Sequence, residues 1–376
     1  MIVGVNMVLG TDGGVDGHSN FLQACFFILA KEHPQDQFIF IAGGPVETTE
    51  KNITVVVTDT LPTRILLWRY WLDYKLSAII KKHKVDVLVN AGVCSLRTKI
   101  PQCLIINDLS FLHIPQFLNK SQVRFYKKLV PKFLAKAKQV LTVSQFSKAT
   151  IIKHYKVEET KINVVYSGAG KKFQPVDWKE KEAIKEKYTT GKEYFLFSGN
   201  IHPAKNMLSL LKAFSYFKKW QKSNMQLVIA GTVAPGYEKF TEDLATYKYR
   251  NEVVIVNSPA EEELVKITAA AYALVYPSSY EDFGTPPLQA MKSEVPVIAG
   301  NAGAMPEIYS DAALYATPDD LKAIATQMML LFKDENKRTE MINAGKELAK
   351  RYNWEKTSGS LWQAILKCTA QPGNTG

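Results

Sequence analysis

The sequence holds no apolar run approaching the ~20 residues needed to cross a bilayer. Its first ten residues, MIVGVNMVLG, place no basic region ahead of an apolar one, so they read as a first strand and not as a secretion signal. The four cysteines, Cys25, Cys94, Cys103 and Cys368, form no CxxC pair and sit mostly among apolar neighbours. Structural zinc and disulfides are therefore not expected, and the chain suits a reducing cytoplasm. No segment repeats with a period of roughly 20–50 residues, which sets aside solenoids and propellers.

Acid is missing from one long stretch. Between Asp108 and Glu158 there is no Asp or Glu against ten cations: Lys120, Arg124, Lys127, Lys128, Lys132, Lys136, Lys138, Lys148, Lys153 and Lys156. Residues 1–108 carry ten of each sign and residues 158–376 carry 27 basic and 26 acidic side chains, so nearly all of the net charge of +11 lies in this tract. A solvated face usually mixes its signs, which points the tract (120–156) toward an anionic partner, with a plain solvent-facing helix as the alternative. Arg124, Lys128, Lys132 and Lys136 recur every four residues along one drifting helix face, with Pro131 as a candidate kink. No RRM, KH or zinc-finger pattern accompanies the charge, so no nucleic acid is expected. An anionic membrane surface is the preferred partner, at about 1 kcal/mol for each basic residue near it.

At 376 residues the chain exceeds what one core usually serves, since cores stop growing near roughly 250–300 residues, and two domains are expected. Strand and helix alternate in both halves, as in doubly wound α/β domains. The polar segment KKFQPVDWKEKEAIKEKYTTGKE marks the passage between them. The expected division is 1–175, 186–355 and a C-terminal helix with a loose tail over 356–376. The segment LPTRILLWRYWLDYKLSAIIKKHK is helical in period, with Trp68, Tyr70, Trp71 and Tyr74 set among cations. It reads as core, or alternatively as a face toward lipid headgroups or a hydrophobic acceptor.

The stretch VYPSSYEDFGTPPLQA, residues 275–290, carries the most chemistry. An apolar strand closes at Pro277, and a helical pattern begins near Leu288. Pro286 and Pro287 fit only the first turn of a helix, which fixes where it starts. The amides of Phe283, Gly284 and Thr285 then lie at a helix N-terminus, where unpaired N–H groups and the positive end of the dipole favour a phosphate. A carboxylate just ahead, Glu281 or Asp282, is placed to accept hydrogen bonds from sugar hydroxyls. A sugar joined to a diphosphate would satisfy both halves. The bland alternative is a plain strand-to-helix connection, as found in most α/β proteins.

The run YEDFGTPPLQAMKSEVPVIAGNAGAMPEIYSDAALYATPDD resembles the donor segment of the retaining glycosyltransferases of family 4. The likeness extends through NDLSFLHIP and LVPKFLAKAKQVLTVSQFSKATIIKHY in the first half. The resemblance implies a GT-B fold: two Rossmann-like doubly wound domains facing a cleft, with the last helix crossing back onto the first domain and Trp354 and Trp362 as its anchors. In that family, Glu is followed after seven residues by a second Glu that binds the ribose. Here Glu281 holds the first position and Gln289 the second, a neutral amide with one acceptor oxygen. Many relatives carry His-Asp where this chain has Asn107 and Asp108, and Asn107 cannot take a proton; His113, six residues on, is a candidate substitute or a structural residue. In GNIHPAKNMLSLLKAF, Lys205 matches the cation that neutralises the leaving diphosphate, while Asn200 falls near a position often held by Arg. Gly13, Gly14 and Gly17 do not spell GxGxxG, yet the loop resembles the family's first glycine loop, with Gly14 near the donor phosphates or forming a bare turn.

No Asp-x-Asp triplet occurs, so metal-dependent transfer is disfavoured and no cofactor is expected: a fixed cation and helix N-termini can stabilise a leaving diphosphate without a metal. The resemblance implies a hexosyltransferase moving a sugar, with retention, from a nucleoside diphosphate to a glycan or lipid-linked acceptor in cell-surface polysaccharide or glycolipid synthesis. Glu281 and Lys205 are its reactive pair. The rival, suggested by Gln289 and Asn107, is a non-catalytic homologue that binds a nucleotide sugar or a partner enzyme. A sugar phosphorylase shares the fold but requires a phosphate site or cofactor-bound lysine that the sequence does not display.

Overall fold

The computed structural model describes residues 1–8, 17–58, 65–234, 237 and 239–370. The chain divides into two units, one formed by Met1–Gly168 together with Trp354–Gly376, the other by Ala169–Asn353.

The first unit is built on seven strands: β1 Ile2–Asn6, β2 Gln37–Ala42, β3 Ile53–Val57, β4 Val87–Ala91, β5 Gln102–Ile106, β6 Gln139–Thr142 and β7 Ile162–Val164. They lie in the order β3-β2-β1-β4-β5-β6-β7 and every neighbouring pair is parallel. Val5 sits between Phe40 on one side and Val89 on the other. Such strands are buried on both faces, which is why they are apolar runs without alternation. Where β1 and β4 meet, the chain reverses its winding direction, and a buried polar ladder marks the spot: Asn6 donates to Asn90 at 3.0 Å, and Asn90 to Gln102 at 3.0 Å.

Two helical segments of this unit depart from their sequence reading. The helix after β3 runs Ile65–Tyr70, passes through a π-helical turn at Trp71–Lys75, and continues as Leu76–Lys82. A π turn inserts an extra residue and rotates the remainder of the helix about its axis. Trp68 and Trp71 are buried, as a core stripe requires, but Tyr70 and Tyr74 are 55% and 45% exposed and stack on each other at 4.9 Å. Arg97 caps the Tyr74 ring at 4.3 Å. The helix Lys120–Lys136 continues through Pro131, which faces solvent, while Leu129, Val130, Phe133 and Leu134 form its buried stripe.

The last helix, Trp354–Thr369, completes this first unit. Trp354 meets Phe21 edge-on at 5.7 Å, and Trp362 stacks on His33 at 4.1 Å. Ser358 donates to the Cys25 carbonyl at 3.3 Å and Thr357 to that of Tyr166 at 2.8 Å. All four cysteines are buried free thiols.

The second unit carries β8 Tyr194–Ser198, β9 Gln226–Gly231, β10 Val253–Asn257, β11 Ala273–Tyr276, β12 Val297–Gly300 and β13 Leu314–Ala316. Their order is β10-β9-β8-β11-β12-β13, again all parallel. Counted within the unit this is the doubly wound order 3-2-1-4-5-6, whose switch point lies between β8 and β11. Among the described residues no helix is long and apolar enough to cross a membrane.

Candidate donor site of the second unit

Ligands of open parallel sheets bind beyond the carboxyl ends of the strands at the switch point. The loops leaving β8 and β11 carry Lys205 and Glu281. β8 ends at Ser198, Gly199 adopts a positive-φ conformation, Asn200 is exposed, and a 3₁₀ turn Pro203–Lys205 leads into the helix Met207–Gln221. His202 caps that turn through Nδ1, which accepts from the Ala204 amide at 3.2 Å. The two loops are then tied together: the Ala204 carbonyl accepts from the Ser279 amide at 2.9 Å and from the buried Ser278 hydroxyl at 3.3 Å.

This tie brings the Lys205 ammonium into an ion pair with Oε1 of Glu281. The same oxygen accepts a hydrogen bond from the Tyr276 phenol at 2.9 Å. Tyr276 is buried and stacks on Phe197 at 5.6 Å, and the Lys205 ammonium lies 5.6 Å from its ring centre. Burial, then the negative charge of Glu281, push the Tyr276 phenol well above its ordinary pKa, so it acts as a donor. Asp282, the second acid of the loop, is buried and accepts from Tyr280 at 2.8 Å. That hydrogen bond turns Asp282 inward and leaves Glu281 as the carboxylate at the switch point.

Immediately beyond, Gly284 takes φ +82 and caps the helix Thr285–Lys292, with Pro286 and Pro287 in its first turn. The buried Tyr309 hydroxyl donates to the Gly284 carbonyl, and lies 3.3 Å from that of Phe283. This fastens the left-handed turn from beneath. Phe283 is buried against Tyr352 at 5.8 Å. Gln289 is half-buried and stands one turn beyond Thr285 on the same side of the helix. The loop after β12 closes behind Glu281, whose carbonyl accepts from the Ala304 amide at 2.8 Å. A Cβ on Gly303 would lie 2.2 Å from that carbonyl oxygen, and one on Gly231 would lie 1.8 Å from the Gly199 carbonyl oxygen.

The structure thus brings Lys205, Glu281, Phe283, Gly284 and Thr285 together at one switch point, with Asn200 and Gln289 on the flanking loop and helix. Sequence reasoning missed Tyr276, Tyr309, Ser278 and Gly303. Tyr276 carried one signal, a polar atom at the end of an otherwise apolar strand. The other three hold the site from below and have no motif of their own.

The remaining candidates belong to the first unit. Asp108 is exposed and its Oδ1 accepts at 2.6 Å from the amide of Ser110, where the short helix Ser110–His113 begins. Asn107 buries its Oδ1 without a hydrogen-bond partner among the described residues. His113 is exposed and packs on the helix Gln145–Tyr155, with Thr150 at 3.4 Å and the Phe146 ring at 5.4 Å. Burial, followed by the charges of His154 and Lys153, lowers its pKa and favours the neutral ring. Gly14 lies outside the described residues. The basic tract is less uniform than its sequence suggests. Lys138 donates to the Ala370 carbonyl at 2.6 Å and Lys148 pairs with Glu159 at 3.0 Å, and Lys136 is half-buried. Lys120, Arg124, Lys127, Lys128 and Lys132 remain exposed on one helix. Among the described residues no group of three or more His, Cys, Asp or Glu side chains converges as metal ligands would.

Comparison with known proteins bears on both units. Residues 178–348 match the family described as Glycosyl transferases group 1, and residues 29–169 match Glycosyltransferase Family 4. The O-antigen chain mannosyltransferase RfbU of Salmonella typhimurium is 31% identical over 290 residues, covering 74% of each chain. O-antigen chain mannosyltransferase B of Escherichia coli is 29% identical over 255 residues, covering 66% of each. Among solved structures, Anabaena Alr3699/HepE in complex with UDP-glucose superposes with a TM-score of 0.76 at 16% identity, over 97% of this chain and 99% of that one. On these matches the chain belongs to the group 1 glycosyltransferases of family 4 and is a glycosyltransferase of the GT-B fold.

Proposed function

We propose that the enzyme transfers a hexose, with retention, from a nucleoside-diphosphate sugar to a glycan or lipid-linked acceptor in cell-surface polysaccharide synthesis. The observation that carries the reading is the pairing of Lys205 with Glu281 at the switch point, directly ahead of the helix that opens at Gly284. Mannose is the first sugar to test, since RfbU and mannosyltransferase B bear that activity in their names. The bound UDP-glucose of HepE supports the nucleotide sugar as donor class.

In this reading the amides around Gly284 receive the diphosphate, Glu281 orients the hexose through its hydroxyls, and Gln289 offers its amide to the ribose. As the bond from the anomeric carbon to the phosphate oxygen breaks, the electron pair stays with the diphosphate. Lys205 and the helix N-termini stabilise that growing charge, so a metal is not required. The acceptor hydroxyl enters on the same face, and its proton passes to the departing phosphate oxygen. No protein base is then demanded of Asn107. The exposed cations of Lys120–Lys136 would hold the enzyme near an anionic membrane that presents the acceptor.

The test begins with thermal shifts against GDP-, UDP- and ADP-sugars, because a ligand bound only by the folded state raises the melting temperature. With the donor so identified, Lys205→Ala is expected to lower kcat by about 10²-fold, the scale of one lost charge-stabilising group. Unchanged turnover at saturating donor would remove Lys205 from the leaving-group role.

A further inference from the structure

The Lys205–Glu281 pair poses a problem for the reaction just described. The same ammonium that neutralises the departing diphosphate is engaged with the carboxylate that must orient the sugar. A diphosphate carries more charge than a carboxylate and draws the ammonium away. Glu281 then loses one of the two donors that meet its Oε1. We infer that Tyr276 is a positioning residue that keeps the Glu281 carboxylate in place once Lys205 turns to the diphosphate, an inference that rests on the leaving-group role given to Lys205 above.

Three observations carry it. Tyr276 reaches the oxygen that Lys205 holds, at 2.9 Å, and among the described residues no third hydrogen bond reaches that carboxylate. Its phenol is a rigid donor: the ring is 2% exposed, closes strand β11, and stacks on Phe197 with the two planes 12° apart. Lysine, by contrast, swings on a four-carbon stem and readily changes partner. The backbone of Glu281 is anchored separately, through its carbonyl to the Ala304 amide at 2.8 Å and through the close passage of Gly303. What Tyr276 adds is therefore specific to the side chain, which would otherwise be free to rotate once the ammonium has left.

Tyr276→Phe retains the ring and its stack and removes only the O–H. Measured with the nucleotide sugar selected by the thermal-shift screen, kcat is expected to fall about 10-fold or more, the scale of one hydrogen bond to a charged group. KM for that donor should stay within about 2-fold of the unsubstituted enzyme. Tyr194→Phe serves as the structural control. It removes another buried phenol from the same sheet, one that donates to the Ile267 carbonyl at 2.6 Å and touches nothing at the switch point. Its Tm should drop by a similar or larger amount with kcat preserved. The inference is overturned if Tyr276→Phe keeps kcat within 2-fold, or if Tyr194→Phe lowers kcat as much. A normal kcat in Lys205→Ala beside a slow Tyr276→Phe would remove the leaving-group role while leaving the phenol's hold on Glu281 standing; the reverse pattern would do the opposite.

Discussion

Glu281 and Lys205 could be named from sequence as candidates, the first as a carboxylate beside Gly284 and the second through the family resemblance of a strand-to-helix turn, and the structure pairs them. What holds them was hidden. Tyr276 looks like one more apolar member of a strand, and its phenol acquires meaning only when Glu281, five residues later, folds back over it. Gly303 lies 22 residues beyond Glu281, with nothing in the sequence to join the two. At φ +61, with its absent Cβ 2.2 Å from the Glu281 carbonyl oxygen, Gly303 is where the loop after β12 supports the loop that carries Glu281. Gly303→Ala is expected to cost about 1–3 kcal/mol of stability through the strained backbone alone. The displaced carbonyl should also lower turnover by more than an order of magnitude, since misplacement by about 1 Å can cost 10²-fold. Paired melting and kinetic measurements check this: full activity at the lowered Tm would mean that the Glu281 loop does not depend on the Gly303 contact.

Among elements, the central strands were readable as continuous apolar runs, and the start of the helix Thr285–Lys292 was fixed by two prolines that no helix interior accepts. Harder to see was the aromatic segment after β3. A helical period already sets Trp68 and Trp71 on one face and Tyr70 and Tyr74 on another, as their burial and exposure bear out, but the π turn at Trp71–Lys75 has no sequence signal. The helix Trp354–Thr369 is assigned to the first unit through the family resemblance, with its two tryptophans as anchors, although the His33 ring that receives Trp362 could not be named from sequence, since a lone histidine far upstream gives no hint of a stack. Trp362 is 7% exposed and packs on both His33 and Phe38. Trp362→Ala is expected to cost about 3–5 kcal/mol, the usual range for a large aromatic removed from a core. Urea denaturation monitored by a probe in the first unit reads this directly, and a loss under 1 kcal/mol would show that the helix is not anchored there.

For the molecule as a whole, the asymmetry of charge is more telling than its sum. Five exposed cations, Lys120, Arg124, Lys127, Lys128 and Lys132, lie along the helix Lys120–Lys136, backed by the buried Leu129, Val130, Phe133 and Leu134. At about 1 kcal/mol each near an anionic bilayer, such a row supports reversible adsorption that salt weakens. Cosedimentation with vesicles containing phosphatidylglycerol should show binding at low salt that fades by roughly 0.5 M, and Arg124→Gln with Lys128→Gln and Lys132→Gln should abolish it. Equal binding to neutral vesicles would exclude the electrostatic account. The closing helix has a consequence of another kind. Because Trp354–Thr369 packs on the helix Gly17–Glu32, the first seven strands emerge from the ribosome long before the piece that covers them has been synthesised. The second unit is therefore the one able to finish folding first, and the earlier-made one must wait, its Phe21 and Cys25 face uncovered, until the helix Trp354–Thr369 has been made.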